Sequence, residues 1–141
     1  MKTSTTRLMI AAAALVVAAG SASAQTYNAR IPVAFSAGGA VMEPGSYLIQ
    51  RVDSSSQAYT VFNLETHRSI LVVTGPKTDT PKSWADAGGP KLDFVCWEDG
   101  CALNRFYDGE HDFTYKFSHR ETTTMASSSL RNVTVAMLKV K

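Results

Sequence analysis

The chain has 141 residues, with 14 Lys+Arg against 12 Asp+Glu and 45% hydrophobic residues. At 18% charged it is not a solvated disordered tail, and 5 Pro with 9 Gly exclude collagen-like and Gly/Pro-rich chains. The length fits one domain.

Residues 1–24 read as an export signal. Lys2 and Arg7 make a positive leading region, residues 8–19 are an unbroken apolar run, and Gly20 ends it. Ala22-Ser23-Ala24 is a small-x-small cleavage site, which puts Gln25 at the mature N-terminus. The run is shorter than the roughly 20 residues a membrane-spanning helix needs, so a cleaved leader is expected rather than a retained anchor. The mature chain, residues 25–141, is then expected to be a single all-β domain, soluble and periplasmic or secreted. Without Lys2 and Arg7 it holds 12 basic against 12 acidic residues, so the excess positive charge belongs to the leader. That removes the electrostatic case for nucleic acid as a partner.

From Arg30 onward the dominant period is two, with turn residues every eight to twelve positions. Ile31, Val33 and Phe35 alternate along a first strand, which Pro32, lacking an N–H, marks as an edge or as paired on one side only. Gly38-Gly39 and Glu43-Pro44-Gly45-Ser46 are turns. Strands are expected over 47–52, 58–64 and 69–74, the last two as hairpin arms around 65–68. Residues 75–90 contain Pro76, Pro81, Gly88, Gly89 and Pro90 and read as a long loop. It is either a plain surface loop or holds one helical turn capped by Ser83 and ended by Gly88. Residues 91–97 and 101–107 flank Glu98-Asp99-Gly100 as a second hairpin. Asp108-Gly109 turns into 110–118, where Phe113, Tyr115 and Phe117 share one face, expected to be core. Residues 122–129 form a polar connector. Ser118-x-x-Glu121 matches a capping box, but threonines behind it are poor helix formers. Residues 133–140 complete an antiparallel β-sandwich or small barrel of about eight strands.

Ile31-Pro32-x-x-Phe35, Gly38-Gly39, Met42, Gly45 and Tyr47, with Pro90-Lys91-Leu92-x-Phe94 before an acidic-Gly hairpin, resemble the landmarks of a family of small exported bacterial β-proteins with no assigned activity. The family pattern reads I-P-F-x-F-x-x-G-G-x-x-L-P-A-G-x-Y, and this chain departs from it at Val33 and at Glu43-Pro44. The likeness covers about thirty residues of turn and core pattern. It implies export and a β fold.

Few residues here bring chemistry with them. Cys96 and Cys101, the only cysteines, flank a hairpin tip and are expected to pair in an oxidising compartment. If residues 97–100 form the loop, the two face each other across the strands. If Asp99-Gly100 alone makes the turn, Cys96 faces Leu103. A redox-active pair is disfavoured, since the spacing is not C-x-x-C and no basic residue lies between the sulfurs. Zinc is disfavoured because Cys96, Cys101, His111 and His119 miss the finger spacing. Asp108, Glu110 and Asp112 are expected to be a solvated tip rather than a calcium site, and no metal or other cofactor is expected. His67, His111 and His119 accompany no nucleophile elbow, H-E-x-x-H or phosphate loop, so no enzyme is expected. Asn132-Val133-Thr134 matches a glycosylation acceptor and is expected to be incidental. The expected role is structural or protein-interacting at the cell envelope, by pairing of open edges at the Pro32 strand or the 133–140 strand, with another protein or a second copy. The alternative is a small ligand- or glycan-binding module using Trp84, expected to be accessible in its long loop, and Trp97.

Overall fold

A computed structural model describes residues 25–119 and 130–140. The leader over 1–24, the 122–129 connector and Glu121 of the capping-box pattern lie outside the described residues. The described chain runs β1 (Thr26–Ile31), β2 (Phe35–Ala37), β3 (Ala40–Met42), β4 (Gly45–Arg51), β5 (Ala58–Asn63), β6 (Ser69–Val73) and β7 (Lys77–Asp79). After a short helix α1 (Lys82–Ala87) come β8 (Lys91–Trp97), β9 (Gly100–Tyr107), β10 (Phe113–Lys116) and β11 (Arg131–Val140). The fold is all-β. Among the described residues it holds eleven strands rather than about eight, because β2, β3 and β7 are three-residue pieces that no alternation pattern is long enough to reveal.

The sheet order is β3-β2-β9-β8-β11-β1-β4-β5-β6, with β10 beside β9 and β7 beside β10. Pairing is antiparallel except between β2 and β9. Just beyond β6 the Gly75 N–H donates to the Lys116 carbonyl at 2.7 Å, and the Lys116 N–H to the Pro76 carbonyl at 3.1 Å. These bonds bring the far end of the sheet round to β10, and the result is a nearly closed barrel rather than a sandwich.

Two expected edges are not edges. β1 lies between β11 and β4, and β11 between β8 and β1. Pro32 follows the last paired residue of β1, so its missing N–H costs no ladder bond; the chain bends there, and Phe35 begins a separate strand elsewhere in the sheet. The ends of the main path are β3 and β6, and β7 ends the branch through β10. Residues 75–90 are also not a plain loop. They hold β7 and α1, and Pro81 rather than Ser83 occupies the position before the helix, with Gly88 at its end (φ 66).

Alternation places Tyr27, Ile31, Tyr47, Ile49, Val61, Val72, Leu92, Phe94 and Met137 in one core. Edge-to-face aromatic pairs lock it, with ring centroids 5.4 Å apart for Tyr27–Phe106 and 5.1 Å for Phe35–Phe94. Burial at full depth is worth about 1.5–3 kcal/mol for each large apolar side chain. Phe117 is in this core, Tyr115 packs at its margin, and Phe113 is half-buried under the Lys77 ammonium, 4.1 Å from its ring centroid.

The β8–β9 register shifts between Asp93 and Phe94. This bulge turns both Asn104 and Arg105 toward Asp93 on the barrel's outer side: Asn104 Nδ2 donates to Asp93 Oδ2 at 2.9 Å and Arg105 Nε at 3.0 Å. Thr134 Oγ1 donates to Oδ1 at 3.3 Å. The Asp93 carboxylate is fully buried beneath these donors, which is tolerable only because it is paired and hydrogen-bonded. Arg105 stacks 4.8 Å over the Trp84 ring, which fixes α1 to the sheet.

Candidate functional site

The barrel wall is incomplete between β6 and the β2–β3 hairpin. Across β5 and β6, the Thr74 N–H donates to the Gln57 carbonyl and the Asn63 N–H to the Arg68 carbonyl, each at 2.8 Å. Bonded pairs recur at every second residue of an antiparallel ladder, so Ile70 and Val72 turn their backbone groups toward β5. Leu71 and Val73 turn theirs outward, where no strand pairs with β6 among the described residues.

Two contacts bound this gap. At one end the Gly38-Gly39 turn, with φ values of 54° and 79°, brings the hairpin tip onto β6. A Cβ on Gly38 would stand 2.6 Å from the Leu71 carbonyl oxygen, so glycine is required both for conformation and for space. At the other end stands the Gly75–Lys116 bond. Between them opens a cleft of about 500 Å³, lined by residues 36–41 of the hairpin, Val72 and Val73 of β6, Leu103 of β9, and Phe117, Ser118 and His119. Val72, Leu103 and Phe117 form an apolar floor that also lines a void of about 10 Å³ in the core. Leu71 and Val73 are 58% and 64% exposed, and Val41 on the facing edge 66%. The Nδ1 of His119 is buried and has no hydrogen-bond partner among the described residues.

The hairpin rim is held by β9. Phe35 and Ser36 pair with Cys101 and Ala102, and Ser36 Oγ donates to the Cys101 carbonyl at 3.3 Å. Cys101 is joined to Cys96, directly opposite on β8, in a disulfide. The facing register is therefore the one adopted. Trp97 and Gly100 pair as well, leaving Glu98 and Asp99 as the turn.

The chain matches no family model, no curated protein and no solved structure.

The other residues singled out in the sequence are dispersed. Trp84 is only 8% exposed, so its expected accessibility is corrected: α1 turns it onto Tyr107 and Arg105 as the helix's anchor. Trp97 is half-buried at the other end of β8, its ring 6.3 Å from that of His119. The two tryptophans do not share a surface. His67 adopts φ 58° in the β5–β6 turn. Asp108 accepts the backbone N–H groups of Glu110 and His111, and its Oδ2 lies 2.5 Å from His111 Nδ1. Burial alone would raise the Asp108 pKa, but these donors and the neighbouring imidazole outweigh it and hold the carboxyl below its ordinary 3.8. Glu110 pairs with Lys139, so the alternating acids at this turn face different partners.

The cleft was not anticipated. Its one signal was the run Ser69-Ile70-Leu71-Val72-Val73, apolar on both faces, as strands covered on both faces are. Here one of those faces is open.

Proposed function

We propose that this protein is an exported, non-enzymatic β domain with a protein-interaction role at the cell envelope, working through the open seam of its barrel. The observation that supports this reading is the gap in the wall along β6 at Val73, between the Gly38 contact and the Gly75–Lys116 bond. Free edges in stable monomers are ordinarily blunted by Lys, Pro, a bulge or a covering element, since they template pairing with other chains. β6 has no Lys, Pro or bulge between Ser69 and Val73, the Gly38 tip meets it at Leu71, and no strand among the described residues pairs with its outward edge; its outward side chains at the gap are apolar. The uncharged character extends inward: outward positions 46, 48 and 50 of β4, 58, 60 and 62 of β5, and 69, 71 and 73 of β6 carry no charge. The Cys96–Cys101 disulfide fits an oxidising compartment, and the leader pattern and the family resemblance support export to it. No helix among the described residues is long and apolar enough to cross a membrane.

Site-specific photo-crosslinking in intact cells tests this. A photoreactive residue at Val73 is expected to give one or a few discrete adducts, in chains processed after Ala24, that are absent when it stands at the exposed Asp53. Identical patterns at both positions, or none at Val73, would refute the interaction role. Retention of residues 1–24 on a reduced protein would refute export.

A further inference from the structure

We infer that the Cys96–Cys101 disulfide is the clasp of the β2–β3 hairpin, and that an external dithiol reductant opens it, freeing residues 36–41 while the rest of the barrel stays folded. The two cysteines stand directly opposite each other with their Cα atoms 4.0 Å apart. Opposed residues that exchange backbone bonds lie about 5.5 Å apart and those that do not lie about 4.5 Å apart, so this rung is of the second kind. The disulfide is therefore the direct tie between β8 and β9 at that rung, and the backbone N–H and C=O of Cys101 turn the other way, toward β2. There Phe35 and Ser36 pair with Cys101 and Ala102, and Ser36 Oγ donates to the Cys101 carbonyl at 3.3 Å. Among the described residues β2 has no further strand partner but β3, and β3 none but β2. The hairpin thus hangs on a two-residue pairing, one member of which the disulfide holds, and its tip abuts Leu71. Its root is pinned separately. Phe35 is buried edge-to-face against Phe94 and Tyr47, with ring centroids 5.1 and 5.5 Å away, so the freed part begins at Ser36.

The step is thiol–disulfide exchange. Cys101 is half-buried beside the exposed residues 98–100, whereas Cys96 is buried, so a thiolate reaches Cys101 Sγ first and Cys96 departs as a thiolate. The second thiol of the reductant then attacks the reductant's own sulfur in the mixed disulfide and releases Cys101. Both cysteines take up protons, the reductant leaves as a disulfide, and two electrons have passed to the protein. The pair is acted on and has no catalytic part. The cysteines are five positions apart in sequence, and closing so short a loop removes little freedom from the unfolded chain, so opening it spares the fold.

The test compares amide hydrogen exchange in the isotopically labelled protein, oxidised and after dithiothreitol treatment without denaturant. The expected result is complete reduction by mass, exchange about tenfold faster at Ser36 and Ala37, and a change of less than about twofold at Ile49 and Val61. A displaced Leu71 amide resonance reports that the tip has left β6, and reoxidation is expected to restore the original rates. The Cys96→Ser/Cys101→Ser double variant is expected to match the reduced protein. Reduced wild-type protein carries the same information, so the test does not depend on how that variant folds. Unchanged exchange at Ser36 and Ala37 after complete reduction would overturn the clasp. Acceleration just as large at Ile49 and Val61 would make the bond a staple of the whole fold and overturn the switch, as would a disulfide that stays closed until denaturant is added.

Discussion

Asp108 carries a charge the fold depends on. Its carboxylate is buried, yet two backbone N–H groups and the His111 ring hold it ionised. Because its pKa is lowered on folding, its contribution is full above the ordinary carboxyl value and is lost as pH falls through the folded one. Asp108→Ala is expected to cost about 1.5–3 kcal/mol at neutral pH, the typical net worth of hydrogen bonding to a charged group. In urea titrations the gap between the two proteins should close below about pH 4, where an ordinary carboxyl protonates. A gap that does not change with pH would refute the role assigned to the charge. The residue's position at a turn was legible from Asp108-Gly109, but its partner was not, since an Asp followed three residues later by His is unremarkable until the turn closes. The cysteines were legible to the level of the bond, because an acidic-Gly tip between two strand patterns restricts the pair to two registers. Trp84 was misjudged because the helical turn that Ser83 and Gly88 suggest carries no sign of which face lies against the sheet.

At the level of elements, the β2–β3 hairpin is the part of the wall most exposed to small changes. Gly38 and Gly39 both have positive φ, but only Gly38 sits against a neighbour, with the Leu71 carbonyl in the space a Cβ would need. Gly39→Ala should therefore cost about 1–2 kcal/mol, the ordinary penalty for a left-handed residue. Gly38→Ala should cost more and should also push the hairpin off β6. The check is the difference in chemical denaturation midpoints, with amide shifts at Leu71 reporting the displacement. Equal penalties would mean the tip does not press on the strand. Most long strands were readable from alternation alone. The first was not, because Ile31, Val33 and Phe35 keep a period of two straight through a bend. Ile31 and Phe35 are both buried, but in different strands on different parts of the wall. A single sequence shows sidedness without showing which neighbour a strand takes.

For the whole molecule, the decisive pairing is between the two ends of the described chain. Thr26 pairs with Val140 and Ala29 with Met137, and β11 also pairs with β8 from Arg131 to Ala136. The last strand therefore joins the half of the barrel containing β2, β8 and β9 to the half containing β1, β4, β5 and β6. Such non-local closure predicts folding in milliseconds to seconds rather than microseconds. Deleting residues 131–140 is expected to abolish the cooperative unfolding transition seen by circular dichroism, since both halves lose a wall. A truncated chain that still unfolds cooperatively, as though an edge had been trimmed, would contradict this topology.

The bulge at Asn104 has a bearing on the cleft as well as on Asp93. One side of β9 serves two neighbours in succession: β10 pairs with Arg105 and Phe106, and β2 with Cys101 and Ala102. Asn104 stands at the handover, and its carbonyl receives the Phe117 N–H at 2.8 Å as the chain leaves β10. An extra residue there adds bend and twist where two strands must diverge. It also leaves Cys101, Leu103 and Phe106 on the inner side despite the odd interval between Leu103 and Phe106. The aperture is in this sense a matter of chain count. One surplus residue, set three positions past a cysteine, parts the wall, and side-chain chemistry then furnishes the opening.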